Sequence, residues 1–397
     1  SIIYFILYIS YYLIVIIGLY TEEEFVVLLF NKHHFDIISN NIYYIFIEQK
    51  QQKLTQIDID INRRYINKLC NITMIKYAIV TGCSKSSIGF LSSKILASKP
   101  YDFTVILGCR NEQKGKEAEE EIKKQVPGSN VIYKNLDLAS FESIHKFVDE
   151  VNDLENFKTA GLSLLVNNAG VGWGSNTPYL KTKNDLEEIV GVNHFGHFLL
   201  TNLLLPNLKQ PESARVVIVS SSLHDLEARK KQKDNDNNGP KILLPNFPQN
   251  ILVKDAANYD GALAYRISKL CNILFGYELQ RRLNNENNNN KIKVISLTPG
   301  FIPTTGLTRR SGFFGIFFLH YIIPWFGITR TPDDGALSIV LASVDNDLKG
   351  GEYIQLPKGS SKIEVIKSSV ESYDENKAKE LWDMSDRIVN GDKNIKL

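Results

Sequence analysis

The stretch YAIVTGCSKSSIGF (77–90) decides how the rest of the chain is read. Tyr77 to Thr81 form a short apolar run of strand length, and Ile88 to Ala97 carry helical spacing. Between them lies a turn that opens at Gly82 and closes at Gly89. Such a strand–turn–helix passage can hold a pyrophosphate. Glycines let the backbone come close, and the helix start points free N–H groups at the anion. This turn departs from the usual pattern. A middle glycine is replaced by Ser86 or Ser87, and the turn is one residue longer. Serine hydroxyls can still donate to phosphate, and Lys85 adds a positive charge. The expected contacts are Gly82, Ser84, Lys85, Ser87, Ile88 and Gly89.

Outward from this turn, apolar runs alternate with helix-period segments. Strands are expected at 103–109, 129–138, 162–170 and 214–222, and helices at 111–126, 140–152, 185–208 and 331–343. Repeated strand–helix units predict an α/β chain with a parallel, doubly wound sheet in three layers. Its strands should be near-continuous Val/Ile/Leu runs, because both faces are covered. Two segments interrupt the pattern. Residues 223–261 read as a long polar inserted loop, and NNENNNN (284–290) as a low-complexity loop.

Of 397 residues, 43% are hydrophobic and 23% charged, which calls for a folded core. A net charge of +2 gives no reason to expect nucleic acid as a partner. Cys70, Cys83, Cys109 and Cys271 are scattered without CxxC spacing, which suits a reducing compartment and no disulfide framework. Cys83 is read as a small loop residue. His194 and His197 stand three apart with no third ligand in view, so packing is expected and no metal.

Residues 1–20 contain no charge and are long enough to span a bilayer as a helix. No basic residue near either end sets an orientation, and no secretory cleavage pattern is present. The first methionine is Met74, just ahead of the opening strand. Residues 1–73 are therefore expected to be an extension: an over-long reading of the gene, a membrane anchor or a soluble leader. Residues 74–358 are the expected nucleotide-binding domain and 359–397 a C-terminal tail. The expected location is cytoplasmic, or membrane-associated if residues 1–20 anchor the chain.

The second strand ends in GCRN. A carboxylate there would bind the adenosine ribose 2′-OH, whereas Arg110 suits a 2′-phosphate by charge and bidentate geometry. NADP(H) is therefore favoured over NAD(H). In GALAYRISKLCN (261–272), Tyr265 and Lys269 are four apart and share a helix face. A phenol with pKa near 10 is a poor acid–base group at neutral pH, and a fixed ammonium nearby lowers that value. Tyr-x-x-x-Lys occurs three times, also at Tyr179/Lys183 and Tyr373/Lys377. Only the second pair follows the fifth domain strand, with hydroxyls at that strand's end (220–222) and Pro299-Gly300 after the next.

Taken in order, TGCSKSSIG, CRN, LDLAS (136–140), NNAG (167–170), VNHFGHFLL (192–200), VVIVSSS, YRISK and TPG (298–300) resemble the short-chain dehydrogenase/reductase family. The resemblance covers residues 74 to about 357 and implies a single Rossmann-fold domain. It implies Asn111, Asp137 and Leu138 near the adenosine end of the cofactor, and Asn168, Ala169 and Gly170 lining it. Pro299, Gly300 and Ile302 close its other side. It further implies Tyr265 as the acid–base group and Lys269 as ribose ligand and modifier of the phenol. Ser221, with Ser222 as the neighbouring alternative, would hold the substrate oxygen. Asn193 would support a proton relay. Within the family the chain looks most like retinol dehydrogenases and protochlorophyllide reductases. It differs from the latter in carrying Phe301 where they have a cysteine, and in keeping NNAG.

The segment 301–327, apolar over Phe313 to Ile323 apart from His320, is the expected substrate lid. A small lipophilic carbonyl or alcohol of retinoid, steroid or fatty type is the expected substrate. A membrane surface and a second copy of the chain are further candidate partners. Two other readings stand beside this one: a cofactor-binding scaffold or sensor without turnover, and double-bond reduction of the protochlorophyllide type.

Overall fold

A computed structural model of the chain describes residues 75–174, 177–226, 259–286, 291–303 and 329–391, with the backbone of four short strands nearer the start. The chain divides into two units, 1–74 and 75–397, each described by itself. In the first, Ile2–Ile9 pairs antiparallel with Tyr12–Leu19, and Val27–Leu28 with Tyr44–Ile45. The uncharged stretch 1–20 thus contains a hairpin and not the spanning helix its length suggested. Its Ile, Val, Tyr and Phe content favours strands, and an all-apolar run has no period to separate the two outcomes. Among the described residues no helix is long and apolar enough to cross a membrane.

The second unit is built on one sheet. Its strands are β1 (Tyr77–Thr81), β2 (Thr104–Cys109), β3 (Val131–Asn135), β4 (Leu162–Asn167), β5 (Ala214–Val219), β6 (Ile292–Thr298), β7 (Glu352–Gln355) and β8 (Glu364–Val365). The spatial order is β8-β7-β6-β5-β4-β1-β2-β3, with every neighbour parallel except β8 against β7. Helices α1 (Ile88–Ala97), α2 (Glu112–Gln125) and α6 (Pro332–Val344) cover one face. On the other lie α3 (Phe141–Asn152), α4 (His197–Leu208) and α5 (Gly261–Glu286). Alternation along the strands feeds both layers: Ile79, Ile106, Leu165 and Ile218 face the second set, and Val80, Val105, Val166 and Val217 the first. This is the expected three-layer Rossmann arrangement. Strand order reverses between β1 and β4, and a crevice at the carboxyl ends of strands is the binding place in such sheets.

Three expectations are corrected. The helix expected over 185–208 starts at Glu188–Val190, widens into a π-helical stretch at Gly191–Gly196, and only then becomes α4. An extra residue in one turn leaves the apolar stripe nearly unchanged, so periodicity hides it. The Asn-rich tract begins inside α5, which runs to Glu286, while 287–290 lie outside the described residues. The expected tail carries β8, a 3₁₀ turn (Val370–Tyr373) and α7 (Glu375–Val389). Ala378, Leu381, Met384 and Ile388 bury one stripe of α7 in a cluster with Phe195, Ile267 and Leu270. Of the inserted loop, 227–258 lie outside the described residues, as do 304–328 of the lid segment.

Candidate active site

The turn after β1 is shaped by backbone rather than side chains. Gly82 takes φ +77°, and its N–H donates to the Gly108 carbonyl at 2.8 Å. Ser86 takes φ +66°. That is the left-handed conformation for which glycine is the usual residue, so Ser86 stands where the middle glycine was missed. A Cβ on Gly89 would come within 2.6 Å of Asn168 Nδ2 and 2.7 Å of the Gly82 carbonyl oxygen, so only glycine fits there. Ser87 caps α1: its Oγ accepts the Phe90 N–H at 3.1 Å and donates to the Gly82 carbonyl at 3.0 Å. The Ile88 and Gly89 N–H groups have no acceptor among the described residues. Two free amides at a helix start fit a phosphate group.

Thr81, which the sequence reading passed over, ties this turn to the next one. Its Oγ1 accepts the N–H groups of Asn168 and Ala169, both at 2.9 Å. Its own hydrogen can pass to His197 Nε2 at 3.0 Å or to the Val166 carbonyl at 3.3 Å. The Asn168 amide donates to the Thr81 carbonyl at 2.8 Å. His197, expected only to pack, donates from Nδ1 to the Asn193 carbonyl at 3.1 Å. Burial depresses its pKa to about 4, with the Asn193 bond opposing the fall, so the ring is neutral at pH 7.

Asn193 is fully buried within the π-helical stretch. Its amide bonds both backbone groups of Val171: Oδ1 accepts the N–H at 2.7 Å and Nδ2 donates to the carbonyl at 3.0 Å. Nδ2 also donates to Ser268 Oγ at 3.0 Å. A Cβ built on Gly170 would lie 3.4 Å from Asn193 Oδ1 and 3.7 Å from Lys269 Nζ. The NNAG turn therefore passes directly over the buried amide and ammonium.

The three serines after β5 are separated by their partners. Ser220 is buried and donates to the Lys269 carbonyl at 2.8 Å, anchoring α5. Ser221 comes close enough to the Tyr265 hydroxyl to lower its pKa, and its Oγ accepts the Leu223 N–H at 3.2 Å. Ser222 is exposed and opens a short 3₁₀ turn. Tyr265 is 6% exposed, and burial pushes its phenol up to about 12 against the opposing effect of the nearby Ser221 side chain. Lys269 is 3% exposed, and burial brings it down to about 8. Its Nζ donates to the Val219 carbonyl at 3.0 Å and lies 5.5 Å from the Tyr265 ring centre. The ammonium thus faces the ring, and burial sets the direction of the phenol's shift, upward where a lowering was expected.

The other candidates lie around the same strand ends. Lys85 pairs with Glu121 at 3.1 Å. Arg110 is exposed at the end of β2, and Asn111 caps α2 by accepting the Lys114 N–H at 2.9 Å. Asp137 accepts the Ala139 N–H at 3.1 Å and lies 3.9 Å from Lys183 Nζ, while Leu138 is buried beside it. Ser84 is half-buried in the loop. Pro299 leads into Gly300, at φ +81°, and a Cβ on Gly300 would meet the Arg330 side chain at 2.6 Å. Ile302 and Ile88 meet over Gly335, closing the loop after β6 onto the start of α1. Arg330 was missed in the sequence, and its buried Nη1 has no partner among the described residues. A lone arginine after an apolar lid offers no spacing to notice. Cys83 is buried, and its thiol is pushed up by that burial. No group of His, Cys, Asp and Glu among the described residues could hold a metal.

The short chain dehydrogenase family pattern matches residues 76–229. The chain is 32% identical over 316 residues to polyprenol dehydrogenase of Homo sapiens, covering 78% of this chain and 84% of that protein. It is 33% identical over 304 residues to retinol dehydrogenase 14 of Mus musculus, covering 72% and 78%. It is also 33% identical over 322 residues to the chloroplastic protochlorophyllide reductase of Daucus carota, covering 78% and 77%. With identity sustained over about three quarters of its length, the chain belongs to the short-chain dehydrogenase family of oxidoreductases, whose cofactors are nicotinamide dinucleotides.

Proposed function

We propose that the protein is an NADP(H)-dependent reductase of lipophilic aldehydes or ketones, or the dehydrogenase of the matching alcohols. The observation that carries this reading is the approach of Ser221 to the buried Tyr265 hydroxyl, with Lys269 buried one turn further along α5. Two hydroxyls from separate elements then converge where a substrate oxygen can accept from both. The bound nicotinamide supplies or takes the hydride. Gly82, Ser84, Ser87, Ile88 and Gly89 would hold the pyrophosphate, Arg110 the 2′-phosphate, and Lys269 a ribose hydroxyl. Ser221 orients the substrate oxygen and Tyr265 exchanges the proton with it. With its phenol held near 12, Tyr265 starts protonated at neutral pH, the form that donates to a carbonyl oxygen. Asn193 keeps the Val171 backbone in place over Lys269.

The lipophilic substrate is supported by what surrounds the phenol. The Trp173 ring lies 4.7 Å from that of Tyr265. Val171, Leu223 and Tyr259 pack with Trp173 against Ile189, Ala264 and Tyr265. Two relatives are named for polyprenol and retinol, both lipophilic alcohols. The test mixes the purified full chain with NADPH or NADH and a panel of long-chain aldehydes, retinal and steroid ketones, following cofactor absorbance. NADPH oxidation with one or more of them is expected. NADPH binding without oxidation on the whole panel would overturn the reading in favour of a scaffold. Oxidation only with a conjugated double bond would replace it with the chemistry for which the Daucus carota relative is named.

A further inference from the structure

Two residues given roles above each neighbour a histidine, and the two histidines reach the same distant segment. Three residues after Ser221, the His224 ring is buried. Its Nδ1 lies 2.7 Å from the Ser221 carbonyl, and its Nε2 takes the Ser369 N–H at 2.9 Å. A carbonyl can only accept and an amide N–H only donate, so these partners select the neutral Nδ1–H tautomer. The ring also packs edge-on against Tyr353 at 5.1 Å. One residue after Asn193, the His194 ring is buried as well, with Nε2 2.8 Å from Ser385 Oγ. The Ser385 hydrogen goes to the Leu381 carbonyl at 2.7 Å, so His194 is the donor, from Nε2–H. Its Nδ1 has no partner among the described residues.

Ser369 and Ser385 lie on either side of the start of α7, and that helix is itself held firmly. Trp382 sits 4.9 Å from Phe198 and 5.7 Å from Phe275, with the Arg282 guanidinium 4.4 Å over its ring. The catalytic segments need such an anchor. Ser221 lies beyond the last paired residue of β5, so its backbone has left the ladder. Asn193 sits in a stretch whose helical hydrogen bonds are widened.

We infer that residues 369–385 form a positioning clasp for the active site: His224–Ser369 fixes the Ser221 backbone, and His194–Ser385 fixes the turn bearing Asn193. His224 and His194 act through those neighbours and are positioning residues. What the clasp serves rests on the function proposed above.

Ser369 offers a clean test, because its φ of −61° is the value proline takes. Ser369→Pro removes the N–H that His224 accepts. Ser369→Ala keeps that N–H and removes only a hydroxyl that has no partner among the described residues. In the full chain, S369A is expected to turn over like the parent. S369P is expected to lose about five- to tenfold in kcat, with KM and NADPH affinity unchanged. Ser385→Ala is expected to lose about fivefold in the same way, and it carries the test if S369P does not fold. A two-bond ¹H–¹⁵N spectrum of histidine-labelled protein reads the clasp without turnover. The parent should show His224 as Nδ1–H and His194 as Nε2–H, each disturbed in its own variant. If the parent reduces no carbonyl, the proposed function falls and this spectrum alone judges the clasp. Rings that exchange tautomers freely in the parent would overturn it. So would parental kcat in both S385A and S369P.

Discussion

Tyr265/Lys269 and Tyr373/Lys377 share one spacing and almost nothing else. The first pair lies on α5 with both residues buried, and Lys269 reaches the Val219 carbonyl at the end of β5. In the second, Tyr373 ends a 3₁₀ turn and is 51% exposed, and Lys377 pairs with Glu371 at 2.5 Å. Burial pushes the Tyr373 phenol up, but bonds involving Ser368 and Tyr277 outweigh it and leave it below its ordinary value. The easier phenol to ionise is thus the more exposed one. Tyr179/Lys183 is not on a helix at all, and Lys183 points instead at Asp137. A motif of two residue types therefore becomes a site through what surrounds it. Phenol acidity taken alone would select the wrong pair.

The sharpest way to break this comparison is to remove each phenol. Tyr265→Phe should lower kcat by about 10²- to 10⁴-fold, the usual contribution of a positioned proton donor, with NADPH affinity kept within about twofold. Tyr373→Phe should leave kcat within about threefold. Steady-state kinetics with the best aldehyde, and fluorescence titration of NADPH, read both. Equal losses would mean the crevice does not distinguish the pairs.

The lysines should differ in the sign of a stability effect. Folding lowers Lys269 from 10.5 to about 8 through burial. Between these values the folded chain binds fewer protons than the unfolded one, so stability rises with pH across that window. Below about pH 8 the buried ammonium carries its full cost, up to about 3 kcal/mol for a shift of this size. Lys269→Met should therefore unfold at higher denaturant than the parent at pH 7. The gain should be reduced by the lost Val219 bond and should fade from pH 8 to 10.5. Turnover should fall by about 10²-fold. Lys377→Met loses an ion pair with Glu371 and should be destabilised at pH 7. Denaturant midpoints across pH check both, and a Lys269→Met gain that does not change with pH would remove burial as its cause.

Much of this was legible before any coordinates. The strand–turn–helix passage announced itself because the close approach at Gly89 admits no side chain, a constraint written directly into residue type. The centre of the sheet was legible because the doubly covered strands β1, β2, β4 and β5 are almost wholly apolar, while β7 (EYIQ) and β8 (EV) at its edge carry no such run and were not expected. The candidate pair Tyr265/Lys269 was legible only through its neighbours in sequence, SSS and Pro-Gly. Three further things were not. The π-helical stretch hides inside an ordinary apolar stripe. The hairpin at 2–19 lacks any period that could tell strand from helix. The His194 and His224 links join residues 191 and 145 positions apart, and no local pattern encodes a partner at that range. Helix α7 did carry a signal, in Ala378, Leu381, Met384 and Ile388 at helical spacing, and reading that segment as a tail overlooked it.

Arg110 limits the lesson that burial makes the site. It is exposed, and its proposed role needs exposure, because its partner would arrive from solvent. Arg110→Asp exchanges a charge-assisted bond to a 2′-phosphate for repulsion. The ratio of NADPH to NADH affinity should fall by about ten- to a hundredfold, with NADH binding itself improved or unchanged. An unchanged ratio would assign the phosphate, if there is one, to another group.

The smallest expected effect concerns a residue whose side chain should not matter. Ser86 holds φ +66°, a conformation that costs a non-glycine residue about 1 kcal/mol, while its hydroxyl faces solvent. Ser86→Gly removes that strain but gives the unfolded chain more freedom, worth about 0.5–1 kcal/mol in the other direction. The two nearly cancel, so the denaturant midpoint should hardly move, and NADPH affinity should stay within about twofold. A larger fall in affinity would show that the Ser86 hydroxyl is itself a phosphate ligand. The turn would then work by side chain where its geometry points to backbone, and Ser86 would join Tyr265 among residues that touch what the crevice binds.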